Sequence, residues 1–121
     1  MFENHDIAQR FVRALRSGAY AQARGALRVD DEFCALGVLC DLVAPNGWAR
    51  RDLNADFPHA GPALIWEHDW CGASPSEAIL KKCGLTQESA NRIAMWNDRG
   101  QPFDWIAGFI EAEGRKGAQQ Q

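Results

Sequence analysis

Long apolar runs are missing from this 121-residue sequence. No stretch approaches the roughly 18 consecutive apolar residues that a membrane-spanning helix needs. The first residues, Met-Phe-Glu-Asn-His-Asp, have neither the basic start nor the apolar run of a signal peptide. We therefore expect a soluble, cytoplasmic protein with no membrane partner.

Motifs for nucleotide and metal chemistry are also missing. The eleven glycines form neither GxGxxG nor GxxxxGK[ST], and there is no CxxC pair. The net charge of −3 argues against a general nucleic-acid binder, because affinity for phosphate backbones comes from clustered Lys and Arg. From the sequence we assign no catalytic residue, no metal ligand and no cofactor.

The four cysteines leave an enzymatic function open. They are Cys34, Cys40, Cys71 and Cys83. In a reducing compartment we expect free, mostly buried thiols. However, His68 and Cys71 have the spacing of zinc ligands, and Cys34 or Cys71 beside a histidine could serve as a nucleophile. A small cysteine- or metal-dependent enzyme is therefore the main alternative.

Helix signals dominate the chain. Apolar residues recur at four-residue steps between about 4 and 17, and an almost wholly apolar run from Phe33 to Val43 predicts a central core helix. Further starts lie at Ser74, read as a cap before Pro75, and at Thr86, and a last helix spans about 102 to 113. We predict a mainly α fold, with α+β still open: a compact bundle of four to five helices.

The remaining segments read as less regular. The turn signal Asp30-Asp31 predicts a short β-hairpin near 26–34. Residues 45–73 contain three prolines and three of the five tryptophans without a sustained period, so they are interpreted as a long irregular insert. We predict one globular domain over 1–113 and a disordered tail over 114–121, where no hydrophobic anchor remains.

Positive charge is concentrated near the start of the chain. Five arginines and no acid lie between Ile7 and Val29. Three of these, Arg10, Arg13 and Arg16, fall near one another on a helix face beside the apolar stripe. Such a face suits docking on an acidic protein surface or a phosphate backbone, although a solvated helix face is the simpler interpretation.

Aromatic residues on the last helix give a second candidate surface. Its inward stripe leaves Trp105 and Phe109 on nearly the opposite side, and exposed aromatic patches tend to mark partner sites. Trp66 and Trp70 in the insert could add to this surface. The alternative is that the insert covers the two rings.

Two parts of the sequence resemble a family of small uncharacterised proteins encoded by phages and prophage regions. The first comprises residues 14–20 (ALRSGAY), 25–28 (GALR) and 33–42 (FCALGVLCDL), and the second residues 96–111 (WNDRGQPFDWIAGFIE). Ala35 stands where relatives have a second adjacent cysteine, and Pro102 where Ser or Thr is usual. The first difference weakens any shared cysteine chemistry.

The resemblance implies that the protein binds host machinery. Small, acidic phage accessory proteins frequently inhibit host complexes, including CRISPR effectors and other defence systems. We therefore expect a noncatalytic inhibitor of a host protein or nucleoprotein complex in a bacterial cytoplasm, with a homodimer left open. A further alternative is a DNA-binding regulator built on the C-terminal helix pair, which is similar to the first two helices of a helix-turn-helix but lacks the third.

Overall fold

The computed structural model describes residues 1–52, 64–69 and 71–119. Within these residues the fold is mixed, with five α-helices and one five-stranded sheet. The helices are α1 (His5–Arg16), α2 (Ala35–Val43), α3 (Glu77–Cys83), α4 (Gln87–Asp98) and α5 (Phe103–Gln119). The strands are β1 (Ala21–Gln22), β2 (Arg28–Val29), β3 (Glu32–Phe33), β4 (Trp48–Asp52) and β5 (Leu64–His68).

Side-chain caps fix the helix starts. The side chain of Asn4 accepts a hydrogen bond from Ile7 N at 3.2 Å, which confirms the predicted start of α1. Thr86 caps α4 in the same way, as predicted. For α3 the prediction was two residues early: Ser76, not Ser74, is the cap, and Pro75 lies before the helix.

The central helix is shorter than its apolar run. Phe33 lies in β3, and Cys34 precedes α2 with its Sγ accepting a hydrogen bond from Gly37 N at 3.3 Å. The apolar run therefore includes the end of β3 and the cap of α2 as well as the helix, because Phe33 and Cys34 are buried too. Six successive residues of α2, from Ala35 to Cys40, are buried, which confirms its central place in the core.

The predicted hairpin near 26–34 is present. Strands β2 and β3 pair antiparallel with Val29 opposite Glu32, and Asp30 in the two-residue turn has φ +51°. The sheet order is β1-β3-β2-β5-β4, in which only β1 and β3 are parallel among the strands described.

The insert prediction needs correction. Residues 45–73 begin with a 3₁₀ turn over Pro45–Gly47 and contribute β4 and β5, which pair antiparallel from Trp48 opposite His68 to Asp52 opposite Leu64. The strand order makes β5 an interior strand between β2 and β4, a long-range pairing that a local period cannot reveal. Residues 53–63 and 70 of the insert lie outside the described residues.

The last helix is longer than predicted. Its backbone is helical to Gln119, although the sequence predicts a disordered tail from residue 114. Arg, Lys, Ala and Gln are favourable in helices, and extending an existing helix costs far less than starting one. Residues 120 and 121 of the predicted tail lie outside the described residues.

A buried side-chain amide connects α4 to the N-terminal half of the chain. The side chain of Asn97 in α4 is fully buried. Its Oδ1 accepts from Ala35 N at 3.1 Å and from Gln22 Nε2 at 2.9 Å, and its Nδ2 donates to Ala23 O at 2.8 Å. The next residue, Asp98, accepts from Gly25 N at 3.0 Å. The Asn-Asp pair therefore ties α4 to β1 and to the start of α2.

Close backbone packing explains a glycine in the middle of α2. A Cβ added to Gly37 would lie 1.8 Å from the carbonyl oxygen of Leu27. That oxygen also accepts a hydrogen bond from Cys34 N at 3.1 Å. The segment before β2 thus lies directly against the helix.

None of the helices in the described part of the chain has the length and apolar character of a membrane span.

Candidate functional site

The outer face of α4 and α5 presents an aromatic surface. We define it by the side chains of Trp96, Trp105 and Phe109, with Met95, Arg92 and Arg99 beside them. Trp105 and Phe109, one turn apart, stack with ring centroids 5.8 Å apart and an angle of 6°. Trp96 of α4 lies against both rings, at 4.9 Å and 6.2 Å. Trp105 is 40% exposed and Met95 is 36% exposed.

The position of this surface follows from the two helix faces of α5. Phe103, Ile106, Ala107 and Ile110 are buried, as predicted, so Trp105 projects from the other side of the helix. Phe109 and Trp96 are half-buried and pack against the edge of the core. Trp96 and Phe109 thus rest on the core, and Trp105 packs on both of them while part of its area faces solvent.

Two arginines border the aromatic rings. The guanidinium carbon of Arg92 lies 5.1 Å from the centre of the Phe109 ring, and that of Arg99 lies 5.8 Å from Trp96. Arg92 also pairs with Glu113 at 3.6 Å. Neither arginine was predicted from the sequence, although each lies three or four residues from Met95 and Trp96, Arg92 within α4 and Arg99 directly after it. Trp, Phe and Arg together have the composition of a protein-binding hot spot.

The arginine face of α1 is less uniform than its sequence suggests. Arg10, Arg13 and Arg16 are all exposed. Arg16 pairs with Glu111 of α5 at 2.5 Å, so part of the positive charge is offset by an acid distant in sequence. Arg13 and Arg16 line a groove between α1 and α5, and Arg10 is not among the lining residues.

The other predicted aromatic residues do not join the aromatic surface. Trp66 of β5 is half-buried, with the guanidinium carbon of Arg28 4.0 Å from its ring centre. The same guanidinium lies 4.8 Å from Phe33 and 5.6 Å from Trp48. This arginine therefore belongs to an aromatic cage on the sheet rather than to a basic patch with α1. Trp70 lies outside the described residues.

A polar cluster around Asp41 connects α2 to the sheet. The carboxylate of Asp41 accepts from the hydroxyl of Tyr20 at 2.7 Å and from Trp48 Nε1 at 3.0 Å. Burial and then the hydrogen bond to Asp41 raise the pKa of Tyr20 to about 12. Both Asp41 oxygens are engaged in holding the sheet on α2, which is a structural role.

His68, a candidate ligand or base, is fully buried. Its Nε2 lies 2.7 Å from the carbonyl oxygen of Ala44 and therefore donates to it, while Nδ1 has no partner among the described residues. His68 and Cys71 pair through their backbones, with His68 N donating to Cys71 O at 2.7 Å. Within the described ranges, no group of three or more His, Cys, Asp or Glu side chains could hold a metal ion.

The buried thiols are poor nucleophiles. Burial raises the pKa of Cys34 to about 11 and that of Cys83 to about 11, and it raises the pKa of Cys40 as well. These thiols stay protonated at neutral pH, and the thiolate is the reactive form. Cys71 is the most accessible of the four cysteines.

Comparison with known proteins gives a family but no function. No curated protein and no solved structure matches the chain. A family model described as a domain of unknown function, DUF8296, matches residues 3–114. This match contains both of the stretches on which the sequence resemblance rests, as well as the aromatic surface and the α1–α5 groove. The chain belongs to the DUF8296 family.

Proposed function

We propose that this chain is a noncatalytic protein-binding domain that contacts its partner through the aromatic surface. The observation that carries the proposal is the partly exposed stack of Trp105 on Phe109, supported from behind by Trp96. Rigid aromatic side chains lose little conformational entropy when a partner covers them, so each buried ring contributes strongly to affinity.

The charges around the rings favour a partner with acidic groups beside an apolar patch. Arg92 and Arg99 flank the aromatic surface. Arg92 already pairs with Glu113, so Arg99 is the guanidinium beside the rings that would pair with a partner carboxylate. Direct DNA binding by the C-terminal helix pair is less favoured, since α5 also carries Asp104, Glu111 and Glu113.

The sharpest form of the proposal is an inhibitor of a host complex. The support for it is the resemblance to phage and prophage proteins, whose small accessory members act on host machinery in the bacterial cytoplasm. An anti-CRISPR or other anti-defence role follows if the partner is a defence complex. Cysteine- or metal-dependent catalysis is the alternative, and the protonated state of the buried thiols weighs against its cysteine form.

Site-specific photo-cross-linking tests the binding proposal. A photoreactive amino acid replaces Trp105 in one protein and Asp104 in a control, since Asp104 is also exposed and lies next to it in α5. After irradiation in bacterial lysate, we expect a defined adduct from position 105 that position 104 does not give. The adduct is identified by mass spectrometry and then reproduced with the purified partner. No adduct from position 105, or equal adducts from both positions, would refute the aromatic surface as the contact.

Two further measurements separate the forms of the proposal. Sedimentation of the purified protein shows whether the partner is a second copy of the chain. A phage-protection assay in bacteria that carry a CRISPR system compares the wild type with Trp105→Ala. Protection that the variant loses is expected for an anti-defence inhibitor. If the wild type gives no protection against any system tested, the anti-defence form fails, while partner binding is judged by the cross-linking result.

A further inference from the structure

A groove runs between α1 and α5, on the side of α5 away from the aromatic surface. It has a volume of about 590 Å³. Ala8 and Val12 of α1 and Ile110 of α5 contribute apolar atoms, and Arg13 and Arg16 contribute charge. The lining residues of α1 extend from His5 to Arg16, a length of ~17 Å or about three helical turns.

The groove exists because small residues face it. A Cβ added to Gly114 in α5 would have no atom within 4 Å, so this position opens directly onto free space. Ala8, one of the smallest side chains, lies on the α1 side. The two helices are held together at the other end of the groove by the ion pair of Arg16 with Glu111.

The charge of the groove is positive. Among the lining residues that the structure describes, Glu111 is the one acid, and Arg16 offsets it. Arg13 forms no ion pair with any residue that the structure describes and is exposed. In an acidic protein of net charge −3, this surface therefore stands out by the sign of its charge.

The kind of occupant follows from the backbone. Both walls are α-helices whose N–H and C=O groups bond within the helix, so the groove has no free strand edge for an extended peptide. A partner segment must therefore satisfy its own backbone, as a helix does. Apolar residues at i, i+3, i+4 and i+7 would fill the floor, and flanking carboxylates would face Arg13.

We infer that the α1–α5 groove binds an acidic, amphipathic helix of a partner protein. This inference rests on the proposed protein-binding function and adds a second contact with a stated chemistry. The groove and the aromatic surface lie on different sides of α5, so a partner that binds both would contact two faces of this helix.

The test uses the whole protein and two labelled helical peptides of about four turns. Both peptides have leucine at i, i+3, i+4 and i+7; one has glutamate on its polar face and the other has lysine. We expect saturable binding of the glutamate peptide by fluorescence anisotropy, with backbone amide shifts at Ala8, Val12 and Ile110, and binding at least about tenfold weaker for the lysine peptide. The affinity should fall as salt is added.

A matched pair of substitutions at Gly114 locates the site. Gly114→Phe places a ring in the open space and should weaken the glutamate peptide about tenfold or more, whereas Gly114→Ala should change its affinity by less than about twofold. Circular dichroism checks that both variants are folded.

Several outcomes would overturn the inference. These are no saturable binding, equal binding of both peptides, amide shifts that map to the aromatic surface, or an unchanged affinity in a folded Gly114→Phe variant. A wild-type dimer that Gly114→Phe dissociates would assign the groove to a second copy of the chain instead. Cross-linking from Trp105 does not depend on the groove, so its result distinguishes a failure of this inference from a failure of the proposed function.

Discussion

The side-chain oxygen of Asn97 lies 3.1 Å from the backbone nitrogen of Ala35 and accepts its hydrogen bond. Ala35 N belongs to the first turn of α2, where no helix carbonyl is in reach. The Asn97 side chain of α4 thus satisfies an N–H in the first turn of α2, which a residue next to the helix start usually does. The same amide also bonds to β1 and to the residue after it, so one buried group satisfies several others.

Loss of this amide should destabilise the protein strongly. Asn97→Ala leaves Ala35 N and Ala23 O buried without their partner, and we expect the free energy of unfolding to fall by about 3 kcal/mol. Asn91→Ala is the control, since Asn91 is exposed on the same helix; its cost should be within about 0.5 kcal/mol. Urea denaturation measures both. Equal midpoints for the two variants would contradict the role of Asn97.

Two glycine-to-alanine substitutions should have opposite effects. At Gly37 a methyl group meets the Leu27 carbonyl oxygen, so the helix must move. We expect a loss of about 2 kcal/mol, larger than the ~1 kcal/mol that alanine gains as a better helix former. At Gly114 nothing opposes the methyl group, and stability should rise by up to about 1 kcal/mol. Thermal unfolding decides the sign; a stabilised Gly37→Ala would contradict the close packing.

Alkaline titration should report on the Tyr20–Asp41 hydrogen bond. Tyr20 is the only tyrosine in the chain, so tyrosinate absorbance reports on it alone. Its pKa is raised from 10.0 to about 12, which means that the folded state favours the protonated phenol. This contribution to stability is fully present below pH 10 and is lost as the pH rises toward 12. Asp41→Asn should lower the pKa, and a pKa near 10 in the folded wild type would contradict the arrangement.

The four cysteines should differ in reactivity toward a thiol reagent. Cys34, Cys40 and Cys83 are buried, and burial raises the pKa of each, so their thiolate fraction at neutral pH is very small. We expect Cys71 alone to react in the native protein and all four to react in denaturant. Mass spectrometry assigns the labelled residue, and Cys71→Ser should remove the native reaction. Rapid labelling of Cys34 would revive the cysteine-enzyme alternative.

Local signals predicted much of the fold. Asn4 and Thr86 were recognisable as caps because a cap depends on residues within one turn, and the Asp30-Asp31 turn fixed the hairpin for the same reason. The β4–β5 pair was not predicted. Its register joins Arg50 to Trp66, and no local alternation of apolar and polar residues indicates a strand whose neighbours lie far along the chain.

The candidate surfaces were predictable in part for a similar reason. The positions of Trp105 and Phe109 opposite the buried stripe follow from helical periodicity alone. The pairing of Arg16 with Glu111 and the enclosure of Arg28 by Phe33, Trp48 and Trp66 depend on how elements pack against each other. Charge counted along the sequence therefore overstated the free positive charge near α1.

The hydrogen bonds of Asn97 also constrain the order in which parts of the protein can fold. They span 62 residues to Ala35, 74 to Ala23 and 75 to Gln22. In a chain that emerges from the ribosome, β1 and α2 are present before α4, so Ala35 N can bond only to water until Asn97 has been added. Contacts of such wide separation form late because a long loop must close first. We therefore expect the contacts between β1, α2 and α4 to be among the last to form during folding.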